Sequence, residues 1–392
     1  MSTQPVKRPA NRRAQILRAA AAQFHERGFH AVGLGDIAGA VGISAPALYR
    51  HFKGKHDLLA AVVADGFSAM DAAVREADTL DAAVWAMAEL SVERRELGVL
   101  WQREVRHLPE PVREEVRQQF RGLAARLEGL VQDRRADLGP GDAGLLTWAM
   151  LAELGSPSHS RIGVSEGRLV ELLYEIAQTV LTAVLTTRLP EGAVGAGRRV
   201  AVPVGLASAS RRESLVAAAT KFFGQQGFHE VGLVEIGAAA GIAGPSVYKH
   251  FASKGDLLYA ALNRGAQALQ LALAEARASS STPLEALAAL LRAYVSLVET
   301  HNDLFMALVT EVIHLPDEQR HDVRRTQHDH VMEWVRLLRA GRPELAQADA
   351  QVLVHAVLGM VNDVLRTGHL KGRPRLADDV IVLGERILLP AH

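Results

Sequence analysis

GISAPALYRHFKGK (42–55) and GIAGPSVYKHFASK (241–254) are one peptide written twice. Each runs through a small-residue turn, a proline, a tyrosine, a basic residue, a histidine, a phenylalanine and a closing lysine. Extended outward, residues 12–59 align with 211–258 at a constant offset of 199 without a gap, and 23 of the 48 positions are identical. A repeat of this length decides the organisation of the whole chain.

The similarity fades and then returns at an offset of 207. There WQREVRHLPEPVREEVR (101–117) faces LVTEVIHLPDEQRHDVR (308–324), setting Glu104, His107, Leu108 and Pro109 against Glu311, His314, Leu315 and Pro316. The duplicated unit is therefore about half of the 392 residues, more than a single hydrophobic core usually holds. Between the copies, LPEGAVGAGRRVAVPVGLASAS (189–210) is rich in Gly, Ala, Pro and Ser without a helical period, and 189–209 reads as a linker.

Within each copy the periodicity is helical. Ile16, Ala20 and Phe24 recur every four residues, as do Leu215, Ala219 and Phe223. Ser210 with Glu213 forms a capping pattern, Asn11 can cap the first helix, and Gly28 and Gly227 stand where a left-handed residue closes a helix. Further helical registers continue at roughly 55–76, 80–106, 110–136, 142–154 and 166–188, with counterparts in the second half. No stretch alternates with period two. The expected fold is all-α: two tandem units, each an N-terminal three-helix domain (1–59 and 210–258) followed by a helical domain (60–188 and 259–392).

Composition bounds the function. The chain has no cysteine, which removes disulfides and thiolate chemistry and fits a reducing compartment, so cytoplasm is the expected location. The formal net charge is zero, but residues 1–59 hold nine Lys/Arg against three acids, a net of +6, whereas 210–258 hold five against four, a net of +1. An anionic partner is expected at the front of the chain. The basic start MSTQPVKRPANRR is followed by ILRAAAAQFHER, whose charges interrupt any signal-like or membrane-spanning run, so it reads as a flexible arm with no membrane partner.

LGDIAGAV makes a short helix with Leu34, Ile37, Ala38 and Val41 facing inward, Gly42 turns the chain, and 45–52 makes a second short helix with Leu48 and Phe52 inward. This is a helix-turn-helix, whose second helix enters the DNA major groove. Ser44, Ala45, Pro46, Ala47, Tyr49, Arg50 and His51 are left exposed. Small groups at the start allow close approach, and the phenol, guanidinium and imidazole can bond bases or phosphates. Lys55 opens the next helix, whose N-terminus suits a phosphate.

On these residues the two segments, with the Gly28-Phe29 and Gly227-Phe228 breaks before them, resemble the DNA-binding segment of tetracycline-repressor-like (TetR family) regulators. The resemblance covers about 50 residues per copy, and the remainder is similar only in helical pattern and length. It implies Tyr49, His51 and Lys55 on phosphates with Ala45, Pro46, Ala47 and Arg50 nearest the bases. In the second copy it implies Tyr248, His250 and Lys254, with Ala243, Gly244, Pro245, Ser246 and Lys249. Two departures stand out: Gly33 and Gly232 occupy the usual Ser/Thr cap position, and the chain carries two units where family members usually carry one. The resemblance further implies a double-stranded operator as partner, a small, apolar effector, and a pocket lined by Trp101, Glu104, His107 and Trp148 in the first copy and Met306, Glu311, His314 and His355 in the second. Packing of these residues as ordinary core is the competing reading.

The resulting expectation is a ligand-responsive repressor in which fusion builds the dimer inside one chain, with further pairing of fused chains left open. The near-neutral second copy is either a weaker reader or a retained dimer partner. GLGDIAG (33–39) has neither the strand nor the spacing of a dinucleotide fingerprint. The stretch RHDVRRTQHDH (320–330) reads as a solvated helix face rather than a metal site. No nucleophile elbow, phosphate loop or metalloprotease motif occurs, so neither catalytic residues, metal nor cofactor is expected. An effector-independent DNA-organising protein and a helical enzyme stand as alternatives.

Overall fold

The computed structural model describes residues 12–159, 162–185 and 210–390. The N-terminal arm, Asn11 and the linker lie outside them. All regular elements among the described residues are helical, as expected. The chain divides into two compact units, residues 1–138 with 157–160 and residues 139–156 with 161–392.

In the first unit, α1 (Arg12–Arg27) buries Ile16, Leu17, Ala20, Ala21 and Phe24. It stops at Gly28, whose φ of 79° is the left-handed geometry that glycine adopts without strain. Helix α2 (Leu34–Val41) starts at Gly33, and the missing hydroxyl cap is replaced from the other side: the Asp36 carboxylate accepts the Gly33 N–H at 2.9 Å. Gly42, with φ 69°, makes the turn into α3 (Ala45–Tyr49). Helix α4 (Lys55–Glu76) then leaves the head and becomes part of the body, with α5 (Leu80–Glu93), α6 (Glu96–Val99) and α7 (Glu110–Arg134).

The sequence pattern suggested one helix over 80–106, and the structure breaks it. Arg94 leaves helical geometry (φ −114°, ψ 48°), its guanidinium held by Asp65 at 2.7 Å. Beyond α6 the backbone makes a π-turn over Leu100–Glu104 and a tight turn over Val105–His107. A π-turn inserts a residue and rotates the helix beyond it, and here it brings Arg103 and Glu104, both buried, against the head.

The second unit contains the whole second copy: α10 (Arg211–Gln225), α11 (Leu233–Ala239), α12 (Gly244–Val247), α13 (Lys254–Ala278), α14 (Pro283–Thr300), α15 (Asn302–Thr310), α16 (Asp317–Gly341), α17 (Gln347–Arg366) and α18 (Leu376–Leu388). Ser210 Oγ accepts the Glu213 N–H at 3.4 Å, and Gly227 and Gly241 take φ of 90° and 69°. The unit also contains the last two helices of the first copy, α8 (Asp142–Leu154) and α9 (Glu166–Leu181), so the helix expected over 166–188 ends at Leu181.

Helix α8 packs along α17 and α9, while α9 packs against α17 and α18. These four helices share one apolar core, and ion pairs bind their rims. Arg373 bridges the buried carboxylates of Asp142 and Asp379, and Arg168 reaches Asp349 at 2.9 Å. By length and hydropathy α17 is also a candidate membrane span, but its apolar positions, such as Val354, Val357 and Val361, are buried in this core.

Candidate nucleic-acid interface

Each head exposes one edge of its second short helix. Leu48 is fully buried and anchors α3, while Ser44, Pro46, Tyr49, Arg50 and His51 are exposed and Ala45 and Ala47 are half-buried. Tyr49 keeps 56% of its surface open, an unusual exposure for a tyrosine in a well-packed domain. Among the described residues no side-chain partner engages Tyr49, Arg50 or His51. In the second head Val247 is the buried anchor, Tyr248 is 60% exposed, Ala243 and Lys249 are exposed, and Ser246 and His250 are half-buried. Gly244 and Pro245 form the start of α12. An exposed ridge of tyrosine, one cation and an imidazole, on a helix short enough for its first turn to approach another surface, can donate hydrogen bonds to a polyanion.

Basic groups also hold these heads together. Arg13 lies over the Phe52 ring at 5.2 Å, and Arg212 over Phe251 at 4.6 Å. Lys55 departs from expectation. Its ammonium donates to the carbonyls of Phe29 (2.7 Å) and Val32 (3.0 Å), approaches that of His30 (3.5 Å), and sits 4.4 Å above the Phe29 ring. Lys254 repeats this on Phe228 O (2.6 Å) and Val231 O (2.9 Å), 4.3 Å above the Phe228 ring. An ammonium has three donors, and at least two of them on each lysine point at these carbonyls. The two lysines thus brace the loop after the first helix. Burial lowers both pKa values, opposed by Glu104 for Lys55 and by Glu230 for Lys254.

The residues expected to line effector pockets separate into different places. Glu104, His107, Glu311 and His314 form two joints between head and body. Glu104, 2% exposed, accepts the Phe29 N–H at 3.0 Å, and the fully buried Glu311 accepts that of Phe228 at 2.8 Å. His107 stacks on Phe29 at 5.5 Å and 12°, and shares a hydrogen bond with His30 at 3.2 Å. His314 stacks on Phe228 at 5.5 Å and 12°, and shares one with His229 at 3.1 Å.

A buried carboxylate receiving a backbone N–H at the end of a helix is an obligatory contact, because losing it strands both groups. Glu104, His107, Glu311 and His314 are thus engaged at the joints between head and body. Trp101 packs on Phe67 (5.2 Å) and Phe120 (4.8 Å) as body core. Trp148 meets His369 at 4.9 Å beside α17 and α18, Met306 lies against Arg366, and His355 is half-buried on α17, its pKa lowered to about 4 by burial and by His328.

The joints differ in one residue that sequence reading missed. Arg103 pairs with Glu104 and donates to the carbonyls of Phe24 (2.9 Å) and His25 (2.8 Å), closing the last turn of α1. The hydroxyl of its counterpart Thr310 lies 2.6 Å from Glu311 Oε1 and 2.9 Å from the Met306 carbonyl and donates its single hydrogen to one of them, both on its own side of the joint. The duplicated E-x-x-H-L-P pattern was the available signal for Glu and His, but Arg103 is absent from the second copy and so carried none.

The model of bacterial regulatory proteins of the tetR family matches residues 16–62 and 215–261, and a tetracyclin repressor-like C-terminal domain matches 280–366. The chain is 42% identical over 66 residues to the HTH-type transcriptional activator FasR of Mycolicibacterium smegmatis, covering 17% of this chain and 30% of that one. It is 42% identical over 57 residues to the HTH-type transcriptional repressor KstR2 of the same organism, covering 14% and 28%. The matches thus span less than a third of these curated relatives. Among solved structures, a TetR-family transcriptional regulator from Bordetella parapertussis superposes with a TM-score of 0.43 at 20% identity, over 46% of this chain and 96% of that one.

Proposed function

Because the chain belongs to the tetR family of bacterial regulatory proteins and carries the family's N-terminal domain twice, we propose that it is a sequence-specific DNA-binding transcriptional regulator whose fused halves act as a dimer within one chain. The observation that carries this reading is the duplicated ridge, exposed at Tyr49-Arg50-His51 and at Tyr248-Lys249 with the half-buried His250 beside them, each backed by a buried anchor on a five- or four-residue helix. Ser44, Ala45, Pro46 and Ala47, with Ala243, Gly244, Pro245 and Ser246, form the close-approach edge. Arg50 and Lys249 read bases, while the tyrosines, the histidines and the backbone N–H groups opening α4 and α13 hold phosphates.

The shared core of α8, α9, α17 and α18 supports the intrachain dimer, since it joins the last helices of both copies as a two-fold related pair would. A small apolar molecule entering a helical body changes the affinity for DNA by favouring one arrangement of the body over another. The joints at Glu104 and Glu311 carry that change to the heads. Where the operator overlaps a promoter the protein represses.

Selection of bound DNA from a random library, with the mass of the complex, tests the reading. One chain on a non-palindromic site is expected, because the two ridges differ in sequence. Two chains on a perfect palindrome would refute the intrachain dimer, and equal affinity for all sequences would favour a DNA-organising role.

A further inference from the structure

The helical body of the second half contains a hydrogen-bond donor with nothing to give to. Trp334, fully buried on α16, donates its indole N–H to His330 Nε2 at 3.0 Å. An indole nitrogen is only a donor, so Nε2 is the acceptor and the neutral imidazole carries its proton on Nδ1. That Nδ1 is shut off from solvent and has no partner among the described residues. Burial lowers the His330 pKa to about 4, against the opposing charge of Glu333, so the ring is neutral near pH 7. This corrects the reading of 320–330 as a uniformly solvated face. His321 and His328 are exposed, but His330 turns inward.

The Trp334 ring that holds His330 packs among aromatic side chains. Tyr294 meets Trp334 edge to face at 5.8 Å and Phe305 at 5.5 Å, and its own hydroxyl is spent on Asn362 at 3.0 Å. The repeat supplies an internal control. At the offset of 207, His330 and Trp334 correspond to Leu123 and Leu127, both buried core residues of the first half. A fold that fills these positions with leucine has no structural need for a histidine there, and a stranded buried donor is unfavourable unless something accepts from it.

Resting on the reading that the helical bodies hold an effector, we propose that the second half binds an apolar molecule through a neutral carbonyl oxygen that accepts from His330 Nδ1–H. The first half, with Leu123, makes no such contact. A ligand hydroxyl or amine proton directed at Nδ1–H would meet a donor head on. A carboxylate would bring a charge into surroundings where burial already keeps the His330 ring neutral.

The test uses the full chain, with propiophenone as probe and propylbenzene as its match lacking the oxygen. Calorimetry is expected to show propiophenone binding about three- to ten-fold tighter, the range one net hydrogen bond gives. Imidazole ¹⁵N–¹H spectra should show the His330 Nδ1–H signal shifting on its addition. In H330L, which installs the first half's own residue, the two probes should bind alike. In W334F, which frees the tautomer, the preference should shrink.

Equal affinity of the probes in the wild type, a preference that survives H330L, or no binding by either at its solubility limit would each overturn the site. Should H330L fail to fold, the wild-type signal decides: a shift on propiophenone alone supports the site, and an unmoved signal refutes it. Release of library-selected DNA is read separately. Binding with the expected shift but no change in DNA affinity would keep the site and refute the effector reading.

Discussion

Replacing Lys55 by methionine separates two roles for the motif's closing lysine. If its ammonium gripped a phosphate, the variant would lose one ionic contact, and the slope of log affinity against log salt would fall by about 0.9. The structure gives that ammonium two carbonyl partners at 2.7 and 3.0 Å and an aromatic face at 4.4 Å instead. Hydrogen bonds from a charged donor contribute about 1.5–3 kcal/mol each when buried. Partial solvent access lowers this, so about 2 kcal/mol of head stability is the expected loss. The assay pairs hydrogen exchange on α1 and α2 with fluorescence anisotropy of DNA binding at several salt concentrations. Faster exchange with an unchanged salt slope is expected. A slope reduced by about one, with exchange unaltered, would refute the bracing role and restore the phosphate contact.

Further expectations concern the ridge, the joints and the core. Arg50→Ala should cost about 1–3 kcal/mol at particular base pairs only, and an equal loss on random DNA would remove Arg50 from the bases. Glu104→Leu strands Arg103 and should loosen the first head by about 3–5 kcal/mol, whereas Glu311→Leu strands the Phe228 N–H and the Thr310 hydroxyl and should loosen the second by about 1–3 kcal/mol; hydrogen exchange on α1 and α10 compares them, and equal losses would count against the asymmetry. Glu153, wholly buried on α8 without a partner for either oxygen among the described residues, has its pKa pushed well up by burial. A carboxyl with a raised folded pKa contributes full stability below its unfolded value near 4 and loses it as pH rises through the folded value. Glu153→Met, the residue its counterpart Met360 provides, should therefore stabilise by about 1–3 kcal/mol at low pH and by more at pH 8, and thermal melts showing a gain that shrinks with rising pH would contradict this.

What the sequence disclosed was whatever depends on neighbours along the chain. The cap at Ser210, the left-handed closures at Gly28 and Gly227, and the inward faces of Ile37, Leu48 and Phe52 are consequences of local chemistry, and each is found in place. What it withheld depends on residues far apart. A motif names Lys55 as basic without saying that the Phe29 carbonyl lies within its reach. Periodicity runs smoothly through 80–106 because a π-turn shifts the register by only one residue, and nothing in WQRE announces that Arg103 turns back to α1. Glu104 and His107 were noticed on an apolar helix and given a ligand, since a sequence shows that a polar group is buried before it shows what satisfies it. The linker and the N-terminal arm lie outside the described residues.

The packing of α8 and α9 with α17 and α18 has a temporal side. Leu181 leaves the ribosome about 200 residues before Leu388, which at 5–20 residues per second is roughly 10–40 seconds. During that interval α8 and α9 have been made but the surface that covers them has not. Nascent chains from neighbouring ribosomes on one message are then the available substitutes, so the gene's layout favours swapped assemblies unless something shields residues 142–181 until translation ends.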